Sequence, residues 1–297
     1  MENRKGLMYA VTAYALWGVF PLYFAALEPA GPLEVLAHRV LWTAVFGVLT
    51  LLALRRLPGL GKAFRFKLLL AAVAIAVNWL TYVYGVHSHQ VVETSLGYFL
   101  NPLLTVVLGV TVLRERLRPM QWIAVGIGLA ASVVLTVDYG RLPWIAITLA
   151  VAFGTYGLLK KSIPVPALEG VTVETLFIAP AALVYLLWFA GPGGTTFGSG
   201  SAWHTVLLML AGPITGIPLL LYAGAARRLP LTVTGLLQYI TPVLQLTLGL
   251  TVFGEPMPLP RLLGFGLVWV ALAVLSVDGL RAGRRRRGAQ TVLQASN

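Results

Sequence analysis

The sequence predicts an all-α integral membrane protein of about ten transmembrane helices, arranged as two inverted five-helix repeats, and three observations carry that prediction. The first is composition. Of 297 residues, 58% are hydrophobic and only 11% charged, mean hydropathy is +0.83, and the apolar runs approach the roughly 20 residues that cross a bilayer. The second is an internal repeat. "LGYFLNPLLTVVLGVTVLRERL" from Leu96 returns as "LLQYITPVLQLTLGLTVFGEPM" from Leu236, a shift of about 140 residues. That shift sets Pro102 on Pro242, Gly109 on Gly249, Glu115 on Glu255, Gly126 on Gly266 and Asp138 on Asp278, and it also carries Glu34 onto Glu174 and Tyr82 onto Tyr222. The third is loop charge. Arg55, Arg56, Lys62, Arg65 and Lys67 correspond to "GPGGTTFGSGSAWH", which has no Lys or Arg, whereas "VHSHQ" corresponds to "ARRLP" and "RERLRP" to "GEPMPL". Because Lys and Arg gather in cytoplasmic loops, equivalent loops lie on opposite sides, so each half holds an odd number of spans.

The spans follow from windows between charged or Pro/Gly-rich loops. The first, near 6–27, has only the short basic start Arg4 and Lys5 before it and no small-residue cleavage signature, so it is expected to remain as a helix. The second and third, near 33–54 and 67–87, flank the basic loop. The fourth, near 91–113, contains Pro102, and the fifth, near 119–137, ends at Asp138. The second half repeats the set near 143–161, 169–190, 203–226, 231–253 and 259–278. The domains are therefore residues 1–140, residues 141–280 and a basic tail, 281–297, with both termini cytoplasmic and the tail against anionic headgroups.

Several function classes drop out. The net charge of +12 sits in short juxtamembrane loops, and no soluble domain exists to build a nucleic-acid groove. The lack of Cys removes disulfides and thiolate chemistry. The sequence has no Walker segment, HExxH or GxSxG, and the trio His87, His89 and Glu93 is too thin for a metal site, so no enzyme, cofactor or metal is expected. An inverted duplication also suits two alternating gates better than a channel.

Polar groups inside the apolar spans mark the candidate site. The second span carries Glu34, His38 and Arg39 in its first two turns, at a depth where ionisable groups usually face a cavity or a partner. Two readings stand for Arg39: it binds an anionic part of a cargo, or pairs with Glu93 until cargo displaces it; alternatively it pairs with Glu34 or Glu93 to fix packing. On the fourth span Glu93, Gly97 and Asn101 share one face beside Tyr98, and Pro102 frees a carbonyl one turn earlier. Gln238 and Gln245 lie on the repeat-equivalent ninth span. Tyr98, Asn101, Gln238 and Gln245 are expected either to line a midplane cavity or to bond between helices. Asn78 and Tyr82 on the third span and Trp17 on the first add walls or plain core. Trp203 and Trp144 read as interface anchors. Glu34, Glu93 and His38 are the candidates for proton coupling, against simple helix N-terminal electrostatics for the acids; His87 and His89 read as a solvated loop.

"KGLMYAVTAYALWGVFPLYF", "LEVLAHRVLW", "SLGYFLNPLLTVVLG", "VETLFIAPAALVYLL" and "AARRLPLTVTGLLQYITPVLQLTLGLTVFGEP" resemble the RarD group of EamA transporters, in the drug/metabolite transporter superfamily, over essentially the whole chain. "EVLAHR" and "GLLQYITP" carry the group. The resemblance implies a ten-helix inverted-repeat carrier of the bacterial inner membrane working by alternating access, and names no cargo. The expected function is a secondary transporter of a small polar or anionic metabolite or drug-like molecule, with the bilayer, the cargo and protons as partners. The alternative is a carrier or flippase for lipid-linked or nucleotide-linked cargo.

Overall fold

The computed structural model describes residues 2–56, 65–111, 119–161, 163, 165–188, 194–199, 201–226, 228–229 and 237–295. The basic stretches around Lys62 and at 114–118, and the first residues of the ninth expected span, lie outside them. Among the described residues every regular element is helical: α1 (Glu2–Gly18), α2 (Phe20–Ala25), α3 (Pro32–Ala53), α4 (Arg65–His87), α5 (Val91–Thr111), α6 (Pro119–Tyr139), α7 (Trp144–Lys161), α8 (Ala167–Trp188), α9 (Ala202–Ala226), α10 (Ile240–Thr251) and α11 (Leu259–Ala295).

Among the described residues seven helical stretches are long and apolar enough to cross a membrane: Arg4–Ala25, Pro32–Ala53, Phe66–His87, Pro119–Tyr139, Ala167–Trp188, Ala202–Ala225 and Leu259–Gly279. The stretches Trp144–Lys160 and Ile240–Thr251 are shorter apolar helices, and α5 is a further helix of 21 residues. Two departures from the expected spans have local causes. The first span is broken at Val19, because Pro21 has no N–H to return to the Trp17 carbonyl. The last helix runs to Ala295 and not to 278, so the expected basic tail is largely helical. Its sequence after Asp278 has no Pro and is rich in Arg, Ala, Gln and Leu, which are good helix formers in water.

Most of the extensive packing joins a helix before residue 140 to one after it: α3 with α8 and α9, α4 with α7 and α8, α5 with α7 and α10, α1 with α9 and α10, and α6 with α11. Small residues let backbones approach at these crossings. A Cβ on Gly97 would stand 3.0 Å from the Ala146 carbonyl, and one on Gly212 would stand 2.2 Å from the Trp42 carbonyl. The largest apolar cluster gathers Leu96, Phe99, Leu135 and Phe265 from α5, α6 and α11, while a second gathers Phe20, Phe24, Tyr82 and Leu149 beside the candidate site.

One end of the bundle is bonded across both halves. The Glu255 carboxylate accepts the Val91 and Val92 N–H groups (2.9 Å for Val92), capping α5 from the loop before α11. Arg261 Nε meets Asp138 Oδ2 at 2.8 Å and its guanidinium lies 4.2 Å from the Tyr139 ring centre. Burial raises the Glu255 carboxyl above the usual carboxylate value, even though two backbone N–H groups and Arg261 pull the other way.

Candidate functional site

Arg39 sits at the centre of the arrangement. It lies on the second turn of α3 and is buried. Its Nε donates to Thr215 Oγ1 of α9 at 3.1 Å. The guanidinium carbon lies 4.1 Å from the Trp79 ring centre, 5.2 Å from Phe24 and 5.8 Å from Phe20. Stacking on aromatic faces is worth about 2 kcal/mol once water is excluded, far less than the cost of desolvating a cation, so the rings shelter the charge without balancing it. Among the described residues no carboxylate pairs with Arg39.

That geometry corrects the expected partners of Arg39. Glu93 pairs with Arg141 (2.8 Å) and accepts the Ile145 N–H (3.0 Å), so it caps α7. Glu34 accepts Thr196 N–H (2.7 Å), Thr196 Oγ1–H (2.9 Å) and Phe197 N–H (3.1 Å), so it pins the 194–199 segment. Both acids have turned toward backbone donors at neighbouring segment ends, which the sequence could not show because those donors lie far along the chain. Glu174, the repeat mate of Glu34, likewise bonds Lys160 Nζ (2.8 Å) and Tyr156 OH (3.0 Å). His38 receives Trp42 Nε1–H at 3.3 Å and stacks on Phe197 at 4.6 Å, and its buried Nε2 has no hydrogen-bond partner. His87 also departs from expectation. Its Nε2 is 2.9 Å from the Phe24 carbonyl, so it ties α4 to α2 instead of standing in a solvated loop.

Around Arg39 the hydroxyls of Tyr23, Tyr82 and Tyr98 lie close enough to interact with its charge. Tyr82 packs edge-on to Phe24 at 5.7 Å and to Tyr98 at 5.8 Å. Tyr98 is half-buried and also packs edge-on to Phe153 at 6.2 Å. Gln245 of α10 donates through Nε2 to the Trp17 carbonyl at 3.1 Å, the acceptor that Pro21 released. The Gln245 side chain also lies beside the Tyr82 hydroxyl, close enough to interact with it, without a short hydrogen bond between them.

The other candidates are placed as follows. Asn78 donates to the Leu149 carbonyl at 3.2 Å and joins α4 to α7. Trp17 clusters with Tyr14 and Tyr222 at 5.7 and 5.9 Å. Asn101 and Gln238 are both half-buried, on α5 and just before α10. Trp203 is exposed at the start of α9, and Trp144 packs on Tyr84 at 5.4 Å. Sequence reasoning missed Thr215, Phe20, Phe24 and Tyr23, which look like ordinary apolar-span residues. The available signal was Arg39 itself, since its repeat position 140 residues on is Ala179 and so the charge belongs to one half only.

A separate cavity of about 310 Å³, lined by Phe99, Tyr239, Val243, Trp269, Leu272, Ala273 and Ser276, lies between α5, α10 and α11. It is apolar and distinct from the Arg39 cluster, so the charged chemistry is not there. Among the described residues no group of His, Asp and Glu could hold a metal ion.

Comparison with known proteins agrees with this architecture. Residues 4–137 match the EamA-like transporter family. The chain is 46% identical to protein RarD of Streptomyces exfoliatus, over 96% of this chain and 92% of that protein. It is 42% identical to an uncharacterized transporter of Pseudomonas aeruginosa, over 95% and 96% of the two chains, and 37% identical to protein RarD of Escherichia coli, over 96% and 98%. One solved structure superposes with a TM-score of 0.59 at 22% identity, covering 91% of this chain and 96% of that one, a likeness that bears on the fold alone. Helices of membrane-crossing length, together with relatives this similar along nearly their whole length, make the chain a member of the RarD group of EamA-like transporters in the drug/metabolite transporter superfamily.

Proposed function

We propose that this membrane transporter is a secondary carrier that moves a small polar or anionic metabolite or drug-like molecule across the bacterial inner membrane by alternating access. In this reading residues 1–140 and 141–280 are inverted halves of five crossings each, and both termini are cytoplasmic. The observation that carries the cargo class is the buried Arg39, sheltered by rings and matched by no carboxylate among the described residues. The helix pairings support the two-half movement. The pair α1 with α9 corresponds through the repeat to α4 with α7, α3 with α9 to α4 with α8, and α5 with α7 to α1 with α10. Rocking of one set against the other would then exchange the cytoplasmic and outer openings around a fixed site. Prolines within α5, α8 and α9 supply bending points in the moving helices.

Proton coupling in this reading falls to His38. Of the three coupling candidates it keeps a buried nitrogen without a bond, whereas Glu34 and Glu93 are committed to segment ends. His38 lies one helical turn from Glu34 and adjoins Arg39 in sequence, so it sits within the candidate site. A carrier of lipid-linked or nucleotide-linked cargo is the second reading, favoured by the apolar groove between α5, α10 and α11. The deciding test is a thermal-shift screen of the purified protein against anionic, zwitterionic, aromatic and amphenicol-like small molecules at two pH values. Dose-dependent stabilisation that is lost in Arg39 or Asn101 variants supports the first reading. A flat screen, with stabilisation only by a lipid-linked compound, moves the assignment to the second.

A further inference from the structure

Resting on the carrier reading above, we infer that the cargo is a compact organic monoanion, a single carboxylate on a flat apolar body, and that its carboxylate supplies the counter-charge Arg39 lacks. The argument starts from charge. Among the described residues no carboxylate forms an ion pair with Arg39: Glu93, Glu174 and Asp138 pair with other cations, and Glu34 and Glu255 are turned to backbone N–H groups elsewhere. Three cations elsewhere in the spans and their ends are held by carboxylates, Arg141 by Glu93, Lys160 by Glu174 and Arg261 by Asp138, while Arg228 lies over the Tyr9 ring at 5.5 Å. The cluster around Arg39 thus has one positive charge in excess. One negative charge on the cargo balances it, and a dianion would leave the loaded site charged in a low-dielectric surrounding.

Geometry narrows the anion. Nε of Arg39 is taken by Thr215 and the guanidinium face is covered by Trp79, and no further hydrogen bond from the group is made among the described residues. What remains is the edge formed by the two terminal nitrogens, whose planar fork matches the two oxygens of a carboxylate. The Tyr82 hydroxyl is buried next to the Gln245 side chain and close enough to interact with the Arg39 charge, so it can donate to the same carboxylate. The surrounding side chains are rings, Phe24, Tyr82 and Tyr98 beside the Trp79 that covers the guanidinium, a setting suited to a flat apolar body and, among the described residues, without a second cation interacting with Arg39. Gln245, beside Tyr82, brings a buried amide oxygen suited to a hydroxyl or amine substituent near the carboxylate.

The test uses the full-length protein in detergent and three probes of similar shape: benzoate, benzamide and phenylphosphonate, at a pH where the last carries two charges. Binding is read by tryptophan fluorescence and by thermal shift. Benzoate is expected to bind saturably, at least tenfold more tightly than either other probe, and Arg39→Gln is expected to erase that preference. Tyr82→Phe should weaken benzoate several-fold with little change for benzamide. Equal affinity for benzoate and benzamide, or tighter phenylphosphonate, overturns the monoanion assignment. If a neutral or zwitterionic probe binds instead and binding survives Arg39→Gln but not Gln245→Ala, the inference fails while the carrier reading stands. Arg39→Met guards against a merely structural Arg39. The unliganded variant should melt within a few degrees of the parent or above it, and loss of the folded protein overturns the inference.

Discussion

The contact of Gly212 with α3 gives a prediction whose size follows from the coordinates. A Cβ at this position would lie 2.2 Å from the Trp42 carbonyl oxygen and 2.5 Å from its carbon. Both atoms are backbone in mid-helix, so no rotamer change relieves the collision. Helix α9 has to withdraw from α3 by roughly 1 Å to restore contact distance, which loosens the packing along the crossing. Overpacking of this kind costs about 1–3 kcal/mol, and the absence of a flexible neighbour places Gly212→Ala toward the upper part of that range. The matched control is Gly266→Ala on α11, where a Cβ would meet nothing within 4 Å. There the better helix propensity of Ala adds up to about 1 kcal/mol. Thermal unfolding of the two variants in the same detergent should therefore move in opposite directions. At roughly 2–4 °C per kcal/mol, the two melting temperatures should differ by several degrees. Coincident melting temperatures would refute the close α3–α9 approach, and with it the placement of Thr215 against Arg39.

Three further predictions use the ends of the helices. Glu93→Gln keeps an acceptor for the Ile145 N–H but loses the charge facing Arg141; because the Arg141 side chain is 41% exposed, the loss should be modest, about 1 kcal/mol, with the pH profile of transport unchanged. A transport profile flattened by this change would restore Glu93 as a coupling group. For Glu255 the folded-state pKa is raised, so the folded protein holds this proton more firmly than the unfolded chain; its contribution is fully present below the usual carboxylate value and declines as pH rises through the raised one. Melting curves from pH 4 to 7 should show that part of the slope disappear in Glu255→Gln. Finally, in the naturally Cys-free chain, Ser199→Cys should react with an impermeant maleimide from outside intact cells, whereas Arg56→Cys should react only after permeabilisation; labelling of both from one side contradicts the proposed topology.

Spans and candidate charge were readable from the sequence because each is a property of a short window. Apolar runs of bilayer length placed α3 within one residue at each end, 32–53 against an expected 33–54, and Arg39 was identified simply as a cation deep in such a run. What escaped notice depends on the meeting of distant segments. Nothing local says that Glu93 turns to Arg141 and Ile145, or that Glu34 receives the 194–199 backbone, since those bonds join residues 48 to 163 positions apart. The link from Gln245 to Trp17 is an intermediate case. A proline at 21 leaves the Trp17 carbonyl without its helical donor, but only the folded bundle shows which side chain takes it.

The mutual dependence of the two chain halves also bears on biogenesis. Since α1, α3, α4, α5 and α6 find their main neighbours among α7 to α11, the helices made first have few lasting partners of their own. At about 5–20 residues per second, a ribosome needs roughly 7–30 s to add the remaining half, and through that interval the buried faces of the early helices are lined by lipid or by the insertion machinery. Glycine-lined grooves and the Arg39 side chain must wait in the bilayer for segments not yet synthesised. A nascent chain stalled near residue 140 should accordingly be a substrate for membrane quality control, and the same half supplied with its separately made complement should be rescued.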